Sequence, residues 1–163
     1  MAEADRYVEK ERTWDDNWNN VIRNVLWTDQ KLKELMMIPE NADIREFRDR
    51  YFIRDGSTDE LLTNEKVRIV WHDDAVSRGL GSKQVHGNFK TFDIYVNKDE
   101  EFTATNDRLK SRKVMIAERI KYLLLRKRNC QNLRFNYEDE YDSWTKTVGY
   151  VLYKLTFFYI TTV

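Results

Sequence analysis

The sequence predicts an α+β fold in which a small, mostly antiparallel sheet is packed by one long helix and preceded by an N-terminal helical segment. Apolar residues recur at helical spacing in the first third of the chain, while the middle and the end carry strand-like runs. One long amphipathic stretch lies between those runs. A length of 163 residues suits a single domain. We therefore expect a helical segment over residues 1–64 and an α+β core over residues 65–163.

Three helices are expected in the N-terminal segment. Thr13 begins a helix over residues 14–27, whose apolar residues recur at spacings of three and four. Asp29 caps a second, short helix that ends at Ile38-Pro39, and Asp43 caps a third. Each cap offers a side-chain oxygen to a free backbone N–H of the first helical turn.

Two strands are predicted in the middle of the chain, over residues 67–71 and 92–96, where apolar residues alternate with others. The connection between them, residues 72–88, contains three glycines and is far longer than an ordinary hairpin loop. Long loops of this kind are uncommon unless they are functional or disordered. We therefore predict that it contacts a neighbouring molecule, with Arg78 and Lys83 facing acidic groups or DNA.

A long helix is predicted over residues 107–127, with Thr105 or Asn106 as its N-cap. Its expected inward side consists of Leu109, Ile116, Ile120, Leu123 and Leu124. The remaining positions are strongly basic, since residues 108–128 hold nine Lys and Arg residues against the single acid Glu118. So basic a helix predicts an acidic partner, which includes DNA or a second copy of the chain.

The last third of the chain predicts two further strands. Residues 133–137 alternate, residues 138–142 form an expected acidic turn, and residues 147–160 form a long final strand. Both parities of that strand are largely apolar, which predicts protein cover on both faces. We expect a central strand, or one that is buried by a neighbouring subunit through residues such as Phe158.

The 28 basic and 28 acidic residues cancel, but the two signs are unevenly distributed. Residues 1–65 hold 16 acids and 10 cations, whereas the remainder holds 12 acids and 18 cations. Opposite charges on one chain suit head-to-tail contacts, which close into rings when the rotation permits. The predicted contact residues are the cations Arg112, Lys113, Arg119 and Lys121 and the acids Glu138, Asp139, Glu140 and Asp142.

The sequence favours a protein without catalytic residues or cofactors. It contains no GxxxxGK[ST], GxGxxG, HExxH, GxSxG or HRD motif. Its single cysteine, Cys130, excludes an internal disulfide and a multi-cysteine zinc site, and we expect it to be a packing residue. No apolar run approaches the roughly 20 residues of a membrane span, so no membrane contact is expected.

Two alternatives remain open on the sequence. The basic residues 108–128 would suit a nucleic-acid-associated binding module that contacts phosphates. A metal-dependent hydrolase or nuclease would use carboxylates and imidazoles as ligands, although polar residues at a strand end are ordinary. The candidate residues are the possible ligands His72, Asp73, Asp74 and His86 in one set, and the carboxylates Asp93 and Glu100 with Lys98 in the other.

The order of elements suggests a family. A leading helix is followed by the strands VRIVW (67–71) and FDIYV (92–96), which a long loop joins. A helix around IAERI (116–120) and a closing hairpin that ends in GYVLYKLTFFYI (149–160) complete the order. Over residues 65–163 this order resembles that of the tail-terminator and head–tail joining proteins of tailed bacteriophages.

The resemblance implies a structural virion protein that forms a homo-oligomeric ring, commonly a hexamer, at the phage neck. Its partners would be other copies of itself, a portal-side connector or stopper protein, and the tail tube protein. DNA would pass through the lumen without sequence-specific binding, and the protein would be made in the host cytoplasm. The helical segment of 64 residues is longer than the family leads us to expect. The exact position of the protein in the neck, as terminator, stopper or adaptor, therefore stays open.

Overall fold

The computed structural model describes residues 17–54, 65–74, 85–105, 108–126, 130 and 133–162. These residues contain four helices and one short 3₁₀ turn, Lys98–Glu100. Helix α1 covers residues 17–26 and ends in the π-helical turn Ile22–Leu26, and α2 is Gln30–Leu35. Helix α3 begins as Ile44–Glu46 and continues through the π-helical turn Phe47–Tyr51, and α4 is Arg112–Leu124.

Seven strands form two sheets within the described residues. The strands are β1 Phe52–Arg54, β2 Val67–Asp74, β3 Val85–Asn97, β4 Phe102–Thr105, β5 Arg108–Ser111, β6 Leu133–Ser143 and β7 Tyr150–Thr162. The main sheet has the order β1-β2-β3-β7-β6, and only its β1–β2 pair is parallel. Strands β4 and β5 pair antiparallel as a separate hairpin. The fold is therefore mixed α and β with a mostly antiparallel sheet, as predicted.

Local signals located the short helices correctly. Asp29 Oδ2 accepts a hydrogen bond from the backbone N–H of Leu32 at 2.9 Å, and Asp43 Oδ1 accepts one from Glu46 at 2.9 Å. Both aspartates are therefore the N-caps that were expected. The start proposed at Thr13 lies outside the described residues.

One hydrophobic core lies between the helices and one face of the main sheet. Trp18 of α1 is at its centre, with ring centroids 5.5 Å from Trp71, 6.0 Å from Phe92 and 5.9 Å from Phe135. Buried residues of all four helices belong to the same cluster. Residues on both sides of the boundary expected at residue 64 thus share one core, and β1 adds a strand from the N-terminal segment to the sheet.

The single long helix is not confirmed. Residues 108–111 form β5, and the helical part is limited to Arg112–Leu124 with Ser111 at the N-cap position. Leu109, expected to point inward, is 76% exposed. Residues 108–111 pair with β4 instead, and the core is covered by four helices together.

Two predicted connections are partly strand. The loop expected over residues 72–88 was too long, because β2 continues to Asp74 and β3 begins at Val85; residues 75–84 lie outside the described part. The acidic turn expected over residues 138–142 is wrong, since these residues belong to the edge strand β6. Acidic side chains are acceptable there because, among the described strands, β6 is an edge strand with a neighbour on one side only. The final strand, β7, starts at Tyr150 and lies between β3 and β6, which confirms its central position.

Candidate interaction surfaces

The face of the main sheet opposite the core is the first candidate surface. Side chains alternate along a strand, so the residues between the core positions of β2, β3 and β7 point to this other side. We call it the open face and define it by Val70, His72, Phe89, Thr91, Asp93, Tyr95, Lys154, Thr156 and Phe158. Most of these side chains are half-buried. The buried residues of the four helices pack against the opposite face of the sheet.

Three ionisable side chains meet near the middle of the open face. His72 Nε2 lies 3.5 Å from Asp93 Oδ2, and Lys154 Nζ lies 3.6 Å from Asp93 Oδ1. Burial raises the pKa of Asp93, and the nearby Lys154 and His72 offset only part of that increase. The network therefore links β2, β3 and β7 through one partly desolvated carboxyl group.

An apolar pair lies beside this network. The rings of Phe89 and Phe158 have centroids 5.5 Å apart with an interplanar angle of 57°. Between the aromatic pair and the ion network, the hydroxyl oxygens of Thr91 and Thr156 lie 3.2 Å apart, within hydrogen-bond distance. Phe158 is thus on the second face of β7, where the sequence analysis located it. Its role at a subunit interface stays a prediction.

The cations of α4 that were expected to contact another subunit make contacts within the chain. Arg112 donates from Nη1 to the carbonyl of Leu35 and from Nε to the carbonyl of Glu100, both at 2.9 Å. Arg119 forms a bidentate pair with Asp29, at 2.8 and 2.6 Å. Asp29 and Leu35 mark the two ends of α2, so α2 lies antiparallel along α4.

The remaining two cations meet acids of β6. Lys113 Nζ contacts Glu101 and Asp142, and Lys121 Nζ contacts Glu118 and Glu140. Burial raises the pKa of Glu140, but hydrogen bonds from Lys121 and from the Tyr153 hydroxyl at 2.8 Å lower it by more, so the net shift is downward. These described contacts join α4 and β6 inside one subunit, and contacts of the same residues with a neighbouring subunit stay a prediction.

A bulge in β6 decides which acids reach α4. The register shifts between Tyr137 and Asp139. Before this bulge the side chains that face the core belong to odd-numbered residues, and after it they belong to even-numbered residues. Glu140 and Asp142 consequently point toward α4. Glu138 and Asp139 are exposed, and neither forms an ion pair within the described part of the chain.

A buried lysine was not found by sequence reasoning. Lys90 is 1% exposed, and its Nζ lies 4.0 Å from the ring centroid of Trp18, 4.6 Å from that of Trp71 and 2.8 Å from Asp73 Oδ1. The hydroxyl of Tyr159 also donates to Asp73, at 3.2 Å. The available signal was a cation at a core-facing position of β3, opposite Asp73 on β2 and Phe157 on β7.

The structure does not bring the candidate metal ligands together. His72 points to the open face and contacts Asp93, whereas Asp73 points to the core face and contacts Lys90. Glu100 pairs with Lys66 instead, at 3.3 Å. The side chains of Asp74 and His86 lie outside the description. Among the side chains that are described, no group of three or more His, Cys, Asp or Glu could hold a metal ion.

Cys130 is the packing residue that was expected. Its thiol is buried and lies 3.7 Å from the carbonyl of Leu124, to which it donates. Burial raises its pKa to about 11. A thiol of this kind is a poor nucleophile near neutral pH.

Two further surfaces expose large apolar side chains. On the β4–β5 hairpin, Phe102 is 58% and Leu109 is 76% exposed. The connection between β6 and β7 exposes Trp144 by 96% and Val148 by 92%. Exposed apolar groups of this size commonly mark contacts with other macromolecules.

Arg78 and Lys83, the loop residues expected to face a neighbour, lie outside the described residues. Of the helices that the structure describes, none has the length and apolar character to cross a membrane. No protein-family model matches the chain, and no curated protein matches it. The geometry of these surfaces therefore carries the functional interpretation.

Proposed function

We propose that the protein is a non-enzymatic virion component that assembles into a homo-oligomeric ring at the neck of a tailed bacteriophage. The observation that carries this proposal is the open face, which combines the Phe89–Phe158 pair with the ion network around Asp93. An antiparallel sheet with one solvated face usually presents polar side chains to water. Aromatic rings on such a face favour cover by another protein.

The ring would join or terminate the tail at the head connector. Its partners would be a portal-side connector or stopper protein on one side and the tail tube protein on the other, with DNA passing through the lumen. Helix α4 contacts β3 and β7 from the core side, which supports a subunit in which this helix backs the ring-forming sheet.

A nucleic-acid-binding module is the less favoured function. Phosphate binding needs cations that are available to a ligand. Four basic residues of α4 are instead occupied by acids or carbonyls of the same chain, namely Arg112, Lys113, Arg119 and Lys121. These four of the nine cations in residues 108–128 therefore already have partners in the fold.

Native mass spectrometry of the wild-type protein and two variants tests the proposal. Phe158→Asp puts a charge on the open face, whereas Phe158→Leu keeps an apolar side chain and serves as the control. We expect rings for the wild type and for Phe158→Leu, and folded monomers for Phe158→Asp. Circular dichroism must show that the Asp variant keeps its secondary structure.

Two results would contradict the proposed function. One is a wild-type protein that remains monomeric at its highest soluble concentration and also in mixtures with the connector and tail tube proteins. The other is tight retention of DNA with a steep loss of affinity as salt rises, which is characteristic of phosphate binding. Full assembly of Phe158→Asp would show that the open face is not part of the subunit interface.

A further inference from the structure

Several charges near α4 are paired within the subunit, and two groups of opposite sign are not. Arg108 and Lys110 of β5 are exposed, and Glu138 and Asp139 of β6 are exposed. None of the four forms an ion pair with another residue in the part of the chain that is described. The described residues thus include an exposed basic pair on β5 and an exposed acidic pair on β6.

The basic pair belongs to a hairpin that lies outside the main sheet. The register of β4 and β5 puts Phe102 and Leu109 on one face of the hairpin and Arg108 and Lys110 on the other. An isolated two-stranded hairpin is marginally stable in water, and this one exposes two large apolar side chains. Both features favour packing of the hairpin against another surface.

The acidic pair belongs to the edge of the main sheet. Among the described strands β6 pairs only with β7, so its outer edge carries backbone N–H and C=O groups that no described strand pairs. Two aromatic side chains on this strand are also exposed, Tyr137 by 45% and Tyr141 by 49%. An edge with free backbone groups, exposed rings and unpaired acids suits the addition of a basic, apolar strand.

We propose that the β4–β5 hairpin of one subunit packs against the outer edge of β6 in a second copy of the chain. Arg108 and Lys110 then face Glu138 and Asp139, and the apolar face of the hairpin covers Tyr137, which points to the opposite side of the sheet from Asp139. The contact joins two different surfaces, so it is head-to-tail and closes into a ring when the rotation permits. The inference rests on the proposed ring function and names one of its contacts.

A second copy fits this edge better than nucleic acid does. Both halves of the contact are present on one chain, so identical subunits supply matching charges at every contact. A polyanion would be attracted by Arg108 and Lys110 but repelled by Glu138 and Asp139. The apolar face of the hairpin also has no counterpart in a phosphate backbone.

Charge reversal on each side separately, and then on both sides, tests the contact. The basic side is reversed by Arg108→Glu with Lys110→Glu, and the acidic side by Glu138→Lys with Asp139→Lys. Each double variant should weaken ring formation by about tenfold or more, measured by sedimentation velocity over a concentration series. The matched control reverses two exposed cations of the N-terminal helices, Arg23→Glu with Arg45→Glu, and should assemble normally.

Restoration of assembly distinguishes the contact from general charge effects. The quadruple variant carries both reversals and should form rings by itself. An equimolar mixture of the two double variants should also assemble, because each variant then presents a complementary surface to the other. Rising salt should weaken the wild-type contact and the restored contact alike.

Failure of this inference differs from failure of the proposed function. Wild-type rings that persist in both double variants would overturn the hairpin contact and leave the ring function standing. Loss of rings in both, without restoration in the quadruple variant or the mixture, would also overturn the charge-matched contact. A wild type that never assembles would overturn both proposals. If reversal at Arg108 and Lys110 abolished DNA retention and left the ring intact, the hairpin would be a nucleic-acid contact instead.

Discussion

Replacement of Asp29 tests whether the cations of α4 stabilise the subunit from within. This carboxylate caps α2 through the N–H of Leu32 and forms the bidentate pair with Arg119. Its side chain is 12% exposed and that of Arg119 is 21% exposed, so water screens the pair only in part. Burial raises the pKa of Asp29, but the hydrogen bonds from Arg119 and Leu32 lower it by more, and the net shift is downward.

The expected cost follows from these two interactions. Loss of an N-cap costs about 1 kcal/mol, and hydrogen bonds to a charged group contribute about 1.5–3 kcal/mol. Asp29→Ala removes both and should lower the free energy of unfolding by about 2–4 kcal/mol. Asp29→Asn keeps a good cap and should cost about 1–3 kcal/mol through the lost ion pair. Asp43 is the control, because it caps α3 and forms no ion pair within the described residues, so Asp43→Asn should have almost no effect.

Urea unfolding followed by tryptophan fluorescence measures these values, and a double-mutant cycle of Asp29→Asn with Arg119→Gln isolates the pair. We expect a coupling energy of about 1–2 kcal/mol. Because the pKa of folded Asp29 is lowered, its contribution is present above the unfolded pKa of about 3.9 and is lost as the pH falls through the folded pKa. The difference between the wild type and Asp29→Asn should therefore shrink below about pH 4. Additive single effects, or an Arg119→Gln variant that loses assembly at unchanged subunit stability, would refute this intrachain role.

Three further predictions concern the core. Leu155→Asp or Phe157→Asp should destabilise the fold by several kcal/mol, because both side chains are fully buried in β7; unchanged urea midpoints would contradict the packing. Lys90→Ala should cost about 2–4 kcal/mol by leaving a cavity beneath the aromatic rings. Lys90→Met should recover most of that loss, because methionine fills the space and the partly exposed Asp73 can be solvated by water. If the free energy of unfolding of Lys90→Met is no higher than that of Lys90→Ala, the ion pair dominates. The thiol of Cys130, with a pKa of about 11, should resist a thiol reagent at about pH 8 until urea unfolds the chain, and rapid native labelling would contradict its burial.

The features predicted correctly from the sequence depend on neighbouring residues. Asp29 and Asp43 cap their helices through bonds to residues three positions later, so no distant part of the chain is needed. The strands over residues 67–71 and 92–96 follow from alternation, and the interior position of β7 follows from its apolar residues at both parities. Each of these patterns spans a short window.

The β4–β5 hairpin was missed because helical periodicity and hairpin pairing compete for the same residues. Leu109 lies seven residues before Ile116, which extends the apolar period of α4 backward, and the surrounding cations are good helix formers. The opposing signal was the pair Asn106-Asp107, which is typical of tight connections between strands. Pairing of Arg108–Ser111 with Phe102–Thr105 overrides the local preference.

The sequence by itself determined the caps, the alternating strands, the apolar character of β7 and the charge complementarity between α4 and the acidic residues near position 140. Only the tertiary structure decided where those charges meet. The bulge in β6 turns Glu140 and Asp142 toward α4 and leaves Glu138 and Asp139 exposed. A bulge of one residue reverses the direction of every side chain beyond it, and its position depends on pairing with β7, which no local pattern encodes. The same acidic run thus supplies internal partners for Lys113 and Lys121 and an unpaired group at the sheet edge.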